Sequence, residues 1–253
     1  MTSPVKDLLG AIDERHVIRF WCAGGCGLQV DRRNEICDPC ALRESMERRR
    51  ARLTQTIASL PKRDWARFGH PDFERLLATW PADLAKELKD WRIRDRALCL
   101  MGKTGKGKTV AVCAIANRIM DAALDPKAAP EHVEIAETLH YTKAARLAKA
   151  HAVMMMHGNK DETWVEAKHE IQRAERASVL IVDELGYLEF EHRTWKEIGS
   201  LLDTRYDDRK TTIVTTGCNE DQLAEHYGDA TSRRILQGTH INFYPKKHVR
   251  AAS

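Results

Sequence analysis

Eight consecutive residues, Gly102-Lys103-Thr104-Gly105-Lys106-Gly107-Lys108-Thr109, constrain this chain more than any other feature. They satisfy G-x-x-x-x-G-K-[ST]. In that pattern glycines let backbone N–H groups wrap phosphates, the lysine reaches the outer phosphate oxygens, and the threonine hydroxyl serves a Mg²⁺. A side chain at Gly105 or Gly107 would obstruct the approach of backbone to phosphate, and an uncharged residue at Lys108 would leave phosphate charge uncompensated. The flanks agree with the motif. Ala97 to Met101 is a short apolar run suited to a buried parallel strand, and Val110 to Met120 places Val112, Ile115 and Ile119 on one helical face. ATP is the ligand this order of strand, glycine loop and helix predicts.

Further along, the apolar run Val179, Leu180, Ile181, Val182 ends in Asp183 and Glu184. An aspartate at the carboxyl end of a buried strand is placed to hold Mg²⁺ through water, and the adjacent glutamate to orient and polarise the water that attacks the γ-phosphorus. A P-loop kinase of small molecules uses its substrate's hydroxyl and has no need of a water-activating glutamate. Lys108, Asp183 and Glu184 therefore predict a Mg²⁺-dependent ATP hydrolase.

The 253 residues suffice for one α/β core and a small appendage, and 43% hydrophobic content is ordinary for a globular chain. No apolar stretch approaches the roughly 18 residues of a membrane span. The first residues, with Asp7, Asp13 and Glu14, lack the basic start and apolar middle of a signal peptide, so a cytoplasmic protein without membrane contact is expected. The sequence predicts three segments: 1–40, 41–60 and 61–253. The middle one is a basic helical linker with Arg43, Arg48, Arg49, Arg50 and Arg52, and Pro61 with Gly69-His70-Pro71 marks entry to the main domain. Leu76, Leu77, Trp80, Leu84, Leu88 and Trp91 recur at helical spacing, split into two helices by Pro81. A loop around Asp125 to Pro130, a second strand near Leu139 to Thr142 and helices over 143–157 and 161–177 follow. A third strand over 179–183, a helix over 195–206, a fourth strand over 211–216, a short helix over 221–227 and a last strand over 240–244 complete the series. Five strands alternating with helices imply a wound, mostly parallel sheet.

Four of the seven cysteines form two close pairs. Cys22 and Cys26 are separated by three residues, Cys37 and Cys40 by two, with ten between the pairs and glycines at Gly24, Gly25 and Gly27. In a reducing compartment this spacing predicts a closed structural Zn²⁺ site, with His16 as a minor alternative ligand, stabilising a segment with too little apolar area to fold alone. Cys99, Cys113 and Cys218 read as packing residues. Formal charge is only +4, so clusters matter more than the balance. Arg32 and Arg33 lie between the cysteine pairs and Arg48 to Arg50 follow them, so the zinc module is one candidate DNA contact. Tyr141, Lys143, Arg146 and Lys149 combine an aromatic with three cations, a candidate contact to single-stranded DNA through stacking and backbone charge.

The residues from about Leu60 to Tyr244 resemble the AAA+ ATPases of the DnaC and IstB type, which include bacterial and phage helicase loaders and transposition helpers. The resemblance rests on the Gly102–Thr109 loop, the Val179–Gly186 segment ending Asp-Glu-Leu-Gly, the Thr211–Thr216 strand and the Gly228–Ile241 stretch. It implies a five-stranded parallel AAA+ core of the P-loop ASCE group, self-association through ATP at subunit interfaces, and an arginine finger in trans. Arg234 fits that finger by its spacing to the last strand, with Arg233 as alternate. Few residues follow the last strand, so no helical lid is expected. The resemblance also implies an asparagine sensing γ-phosphate at the end of the fourth strand. Gly217 stands there, with Thr216 or Asn219 as substitutes, and this departure implies slow turnover. A zinc-bearing N-terminal module resembles the helicase-docking part of some loaders. The leading expectation is thus a loader of a replicative hexameric helicase onto single-stranded DNA in a bacterial or phage-infected cell. The others are a transposition helper on duplex DNA that recruits a transposase, and a nucleotide-responsive scaffold with little hydrolysis.

Overall fold

The computed structural model describes residues 20–30, 35–61, 64–125, 127–156, 161–186 and 192–244. His16, Arg32 and Arg33 lie outside the described residues, as do the side chains of Arg49, Arg50 and Arg52. The chain divides into two compact units, residues 1–50 and 51–253. The division falls within one helix, α1 (Asp38–Ser59).

In the small unit β1 (Phe20–Trp21) pairs antiparallel with β2 (Gln29–Val30). Its buried apolar content is Cys22, Val30 and Cys40, with Phe20 and Cys37 against them.

The large unit is an α/β sandwich. After α2 (Pro71–Leu77) and α3 (Ala82–Asp90) come β3 (Ala97–Met101), α4 (Lys108–Leu124), α5 (Pro130–Glu137), β4 (His140–Lys143), α6 (Ala144–Met156) and α7 (Glu162–Arg176). They are followed by β5 (Val179–Leu185), α8 (His192–Asp207), β6 (Thr211–Thr216), α9 (Glu220–Tyr227), α10 (Asp229–Leu236) and β7 (Thr239–Asn242). The five strands pair in parallel in the order β4-β5-β6-β3-β7. One strand, β6, thus separates the strand that feeds the glycine loop from the strand that carries Asp183, the arrangement of a P-loop ASCE core. Period-two alternation builds both faces. Leu98, Leu100, Ile181 and Ile213 enter one core with α4, while Cys99, Met101, Leu180, Val182 and Val214 enter the other with α6 and α8. Cys99, Cys113 and Cys218 are all buried.

Two elements depart from the sequence expectation. The stretch after Asp125 is not only a loop: Pro130 opens α5, where a proline costs nothing because a first-turn N–H has no helical partner. Residues 229–236 form α10, which carries Arg233 and Arg234 in its last turn.

One buried cation fixes the far end of the sheet. Arg205 is 1% exposed, and its guanidinium donates to the carbonyls of Ala174 (2.8 Å), Ala177 (2.8 Å) and Thr211 (2.7 Å) and to Thr212 Oγ1 (3.1 Å). It closes the carbonyl end of α7 and ties α8 to the start of β6. Arg205→Leu strands those acceptors and is expected to destabilise the large unit by about 2–4 kcal/mol in a denaturant titration.

Candidate functional site

The glycine loop joins β3 to α4. Gly107 is the residue before α4 and has φ of 81°, and a Cβ there would stand 2.9 Å from Leu76 Cδ2. Glycine is thus favoured by the left-handed backbone, and a side chain would also have to displace the end of Leu76. No side chain caps α4, so its first N–H groups are left for an anion at the positive end of the helix. Lys108 Nζ donates to the carbonyls of Gly102 (2.6 Å) and Lys103 (3.0 Å), keeping the ammonium over the loop. Burial lowers its pKa, against the opposing charges of Asp183 and Glu184. Lys108→Ala is expected to weaken ATP binding at least about tenfold in an equilibrium titration, and unchanged affinity would remove the loop from the site.

Asp183 is fully buried and is the hub. Thr109 Oγ1 lies 3.1 and 3.0 Å from its two oxygens, Tyr141 donates its hydroxyl at 2.7 Å, and Thr215 donates a second hydroxyl. A motif residue at the start of α4 and a strand-end carboxylate 74 positions away thus meet across the intervening β6. A hydroxyl beside a carboxylate fits a Mg²⁺, a hard ion that takes oxygen ligands and retains several waters.

Glu184 differs from its neighbour in every respect. Its φ is 62°, the β5–β6 register shifts between Val182 and Leu185, and its N–H donates to Thr215 Oγ1 (2.9 Å). This bulge turns the side chain out of the sheet, where its carboxylate is about half exposed and pairs with Lys143 Nζ at 2.9 Å. The bond raises the pKa of Lys143.

Three of the four residues expected as a DNA contact have partners within the chain. Tyr141 is 8% exposed with its hydroxyl on Asp183, so it offers no free face for stacking a base. Lys143 holds Glu184, and Arg146 holds the buried Glu170 at 3.0 Å. Burial pushes Glu170 up, but hydrogen bonds from His140 and Thr142 and the Arg146 charge bring it down to about 2. Lys149 alone is exposed with no ion pair among the described residues.

The sensor substitutes are engaged too. Thr216 Oγ1 donates to Leu185 O (2.6 Å), and Asn219 caps α9 by accepting from Gln222 N (2.9 Å). Thr215, which sequence reasoning passed over, is the β6 residue that reaches the site, and the Tyr244 hydroxyl covers Gly217 O. Trp80, Leu84, Phe243 and Tyr244 wall a cavity of about 510 Å³ that also touches Gly105 and Lys106. Its aromatic lining beside the loop is suited to a nucleoside. The aromatics on each side of Pro81 and after the last strand were the available sequence signal.

Arg234 folds onto its own chain. Its guanidinium lies 2.9 Å from Asp203 and 3.5 Å from Asp207, and 5.3 Å over the Tyr206 ring. Arg233 is exposed, with one long bond to Asp229 O.

In the small unit the Sγ atoms of Cys22, Cys26, Cys37 and Cys40 all lie within 4.8 Å of one another. Cys22 Sγ accepts from Cys37 N (3.2 Å) and Gly24 N (3.3 Å), and these N–H bonds, opposed by burial, bring its pKa down to about 6. A Cβ at Gly24 would stand 2.6 Å from Cys40 Cβ. Four converging thiols, backbone donors on sulfur and a glycine where the turn closes on a ligand fit one tetrahedral zinc.

Sheet order, phosphate loop and the Thr109–Asp183 pair define an AAA+ ATP-binding domain. The chain belongs to the family of IstB-like ATP binding proteins, whose sequence profile matches residues 40–237. No curated protein sequence matches it. Among solved structures it is similar to the DnaC helicase loader, at 15% identity over 66% of this chain and 94% of that one, TM-score 0.44. It is also similar to DnaI, at 20% identity over 64% and 81% of the two chains, TM-score 0.44. AMPPCP-bound DnaA from Aquifex aeolicus is 16% identical over 66% of this chain, TM-score 0.45, and this chain spans about half (49%) of that protein. Among the described residues no helix is long and apolar enough to cross a membrane.

Proposed function

We propose that this protein is an ATPase that works by assembly, loading a replicative hexameric helicase onto single-stranded DNA. The observation that carries the reading is the Thr109–Asp183–Tyr141–Thr215 cluster, a built ATP site, in a chain that also carries a four-cysteine unit. Gly102 to Thr109 wrap the phosphates, and Lys108 balances the γ charge. Mg²⁺, when bound, offsets phosphate charge in the transition state. Thr109 and Asp183 hold its place, Tyr141 and Thr215 fix the Asp183 carboxylate, and Glu184 takes the proton of the attacking water. The small unit exposes Trp21, Leu28, Ile36 and Leu42, four large apolar side chains on few residues, and these supply a protein-docking face. Lys149 is left as the DNA contact of the α6 cluster. Segments 1–40, 41–60 and 61–253 act as docking module, linker and motor.

Between the two arginines we assign the finger to Arg233, because Arg234 is held by Asp203 and Asp207 of its own chain whereas Arg233 is exposed. Arg233→Ala is expected to spare ATP binding and slow hydrolysis about tenfold or more only at protein concentrations where subunits assemble. A defect independent of concentration would place the residue outside any shared site.

A second reading, a transposition helper that assembles on duplex DNA, is favoured by the family profile that the chain matches. Capture of partners by the ATP-bound protein separates the two: a replicative helicase supports the first, and a transposase the second.

A further inference from the structure

The N-terminal ends of β3 and β6, at the sheet edge opposite the phosphate loop, border a second cavity of about 620 Å³. Buried Leu202, Val214 and Ile235 give it an apolar wall, and exposed Arg96 and Arg209 give it a cationic mouth. Its size suits a ligand no larger than a nucleotide.

The backbone of both arginines is unusual. Arg96 has φ 61° and ψ −52°, and Arg209 has φ 58°. Only three non-glycine residues among those described have positive φ, and the third is Glu184 in the ATP site. Glycine is the ordinary occupant of such positions, especially two residues past a helix end, where Arg209 stands after α8. Non-glycine residues held in this region collect at sites where the side chain is needed.

The charges around them are otherwise settled. Lys210 bonds Asp208 at 3.0 Å, Arg234 takes Asp207, and Asp95 accepts the backbone N–H of Arg92 at 2.7 Å. Tyr206, which also lines the cavity, donates its hydroxyl to Gln237 Oε1 at 2.6 Å. Arg96 and Arg209 alone among the lining cations have no carboxylate within ion-pair distance among the described residues.

We propose that this cavity is a second, separate site for a phosphate-bearing ligand of nucleotide size, with Arg96 and Arg209 taking phosphate oxygens and the Leu202–Val214–Ile235 wall taking the sugar or base. Guanidinium groups suit this task because each offers paired N–H donors to one phosphate. The phosphate can come from a free nucleotide or from one nucleotide of a nucleic acid strand.

The test uses the full chain carrying Lys108→Ala, which disables the loop, titrated with ADP and, separately, with a short single-stranded oligothymidylate. At least one probe is expected to bind, with affinity falling about tenfold or more on adding Arg96→Gly or Arg209→Gly. Because glycine relaxes both backbones, the melting temperature of these variants should be equal to or above that of the parent, which separates lost contact from lost fold. Binding of ADP alone identifies a free nucleotide as the source, and binding of the oligonucleotide identifies a strand. If neither probe binds the Lys108→Ala protein, or if both bind the glycine variants as tightly as the parent, the site does not exist. That outcome leaves the loop's own ATP binding, measured in the unaltered protein, untouched.

Discussion

Glu184→Gln is expected to leave Mg²⁺-ATP bound with near-normal affinity while slowing hydrolysis by about a thousandfold, within the usual range for loss of a general base. The reason is a division of labour between adjacent carboxylates. Asp183 is fully buried and receives the hydroxyls of Thr109, Tyr141 and Thr215, which fix its carboxylate in place for the metal site rather than for an attacking water. Glu184 is turned outward by its left-handed backbone, and among the described residues its side chain is bound only by Lys143. Of the two, only Glu184 is free to meet a water and take its proton. Glutamine keeps the shape and a carbonyl oxygen for Lys143, but it has no basic lone pair of comparable strength. Equal hydrolysis in the variant and the parent would assign water activation elsewhere, and negligible hydrolysis in both would leave the scaffold reading.

The parts of this site that were legible in the sequence are those specified locally. A five-residue apolar run before a glycine loop gave β3 its bounds, and the β-branched run Thr211–Thr216 gave β6 its own. What stayed hidden depends on register. Tyr141 reads as an aromatic ahead of a basic helix until β4 is paired with β5, with Tyr141 opposite Ile181 and Lys143 opposite Asp183, which brings both residues to the acidic pair. Thr215 and Thr216 differ only in phase along β6, and Gly217 follows its last residue. The bulge at Asp183 and Glu184 decides which of them faces the carboxylate, and no property of the three residues encodes it. Arg234 looks free from its own helix. Its partners Asp203 and Asp207 are four residues apart on α8, a spacing that forms one acidic stripe once α10 lies alongside.

Cys37→Ser is expected to remove zinc, present at about one ion per chain in the parent, and with it the fold of the small unit. Among its described residues the small unit has little else to hold it. Its two strands are two residues each, and its buried apolar residues are two of the cysteines themselves and Val30. A hairpin of that size is at most marginally stable in water. The substitution acts on the thiol alone: Cys37 Sγ lies 3.3 Å from that of Cys26, and serine keeps the backbone N–H that donates to Cys22 Sγ. Zinc binding and folding are then one equilibrium, so a chelator should act on the parent as the mutation does. Metal analysis reads the ion, and the fluorescence of Trp21 together with protease sensitivity before Ala51 reads the fold. The large unit has its own two-sided core and should keep ATP affinity throughout. A metal-free protein in which the region before Ala51 stays protected would mean that the four thiols converge for another reason. Loss of zinc together with ATP affinity would show that the two units do not fold independently.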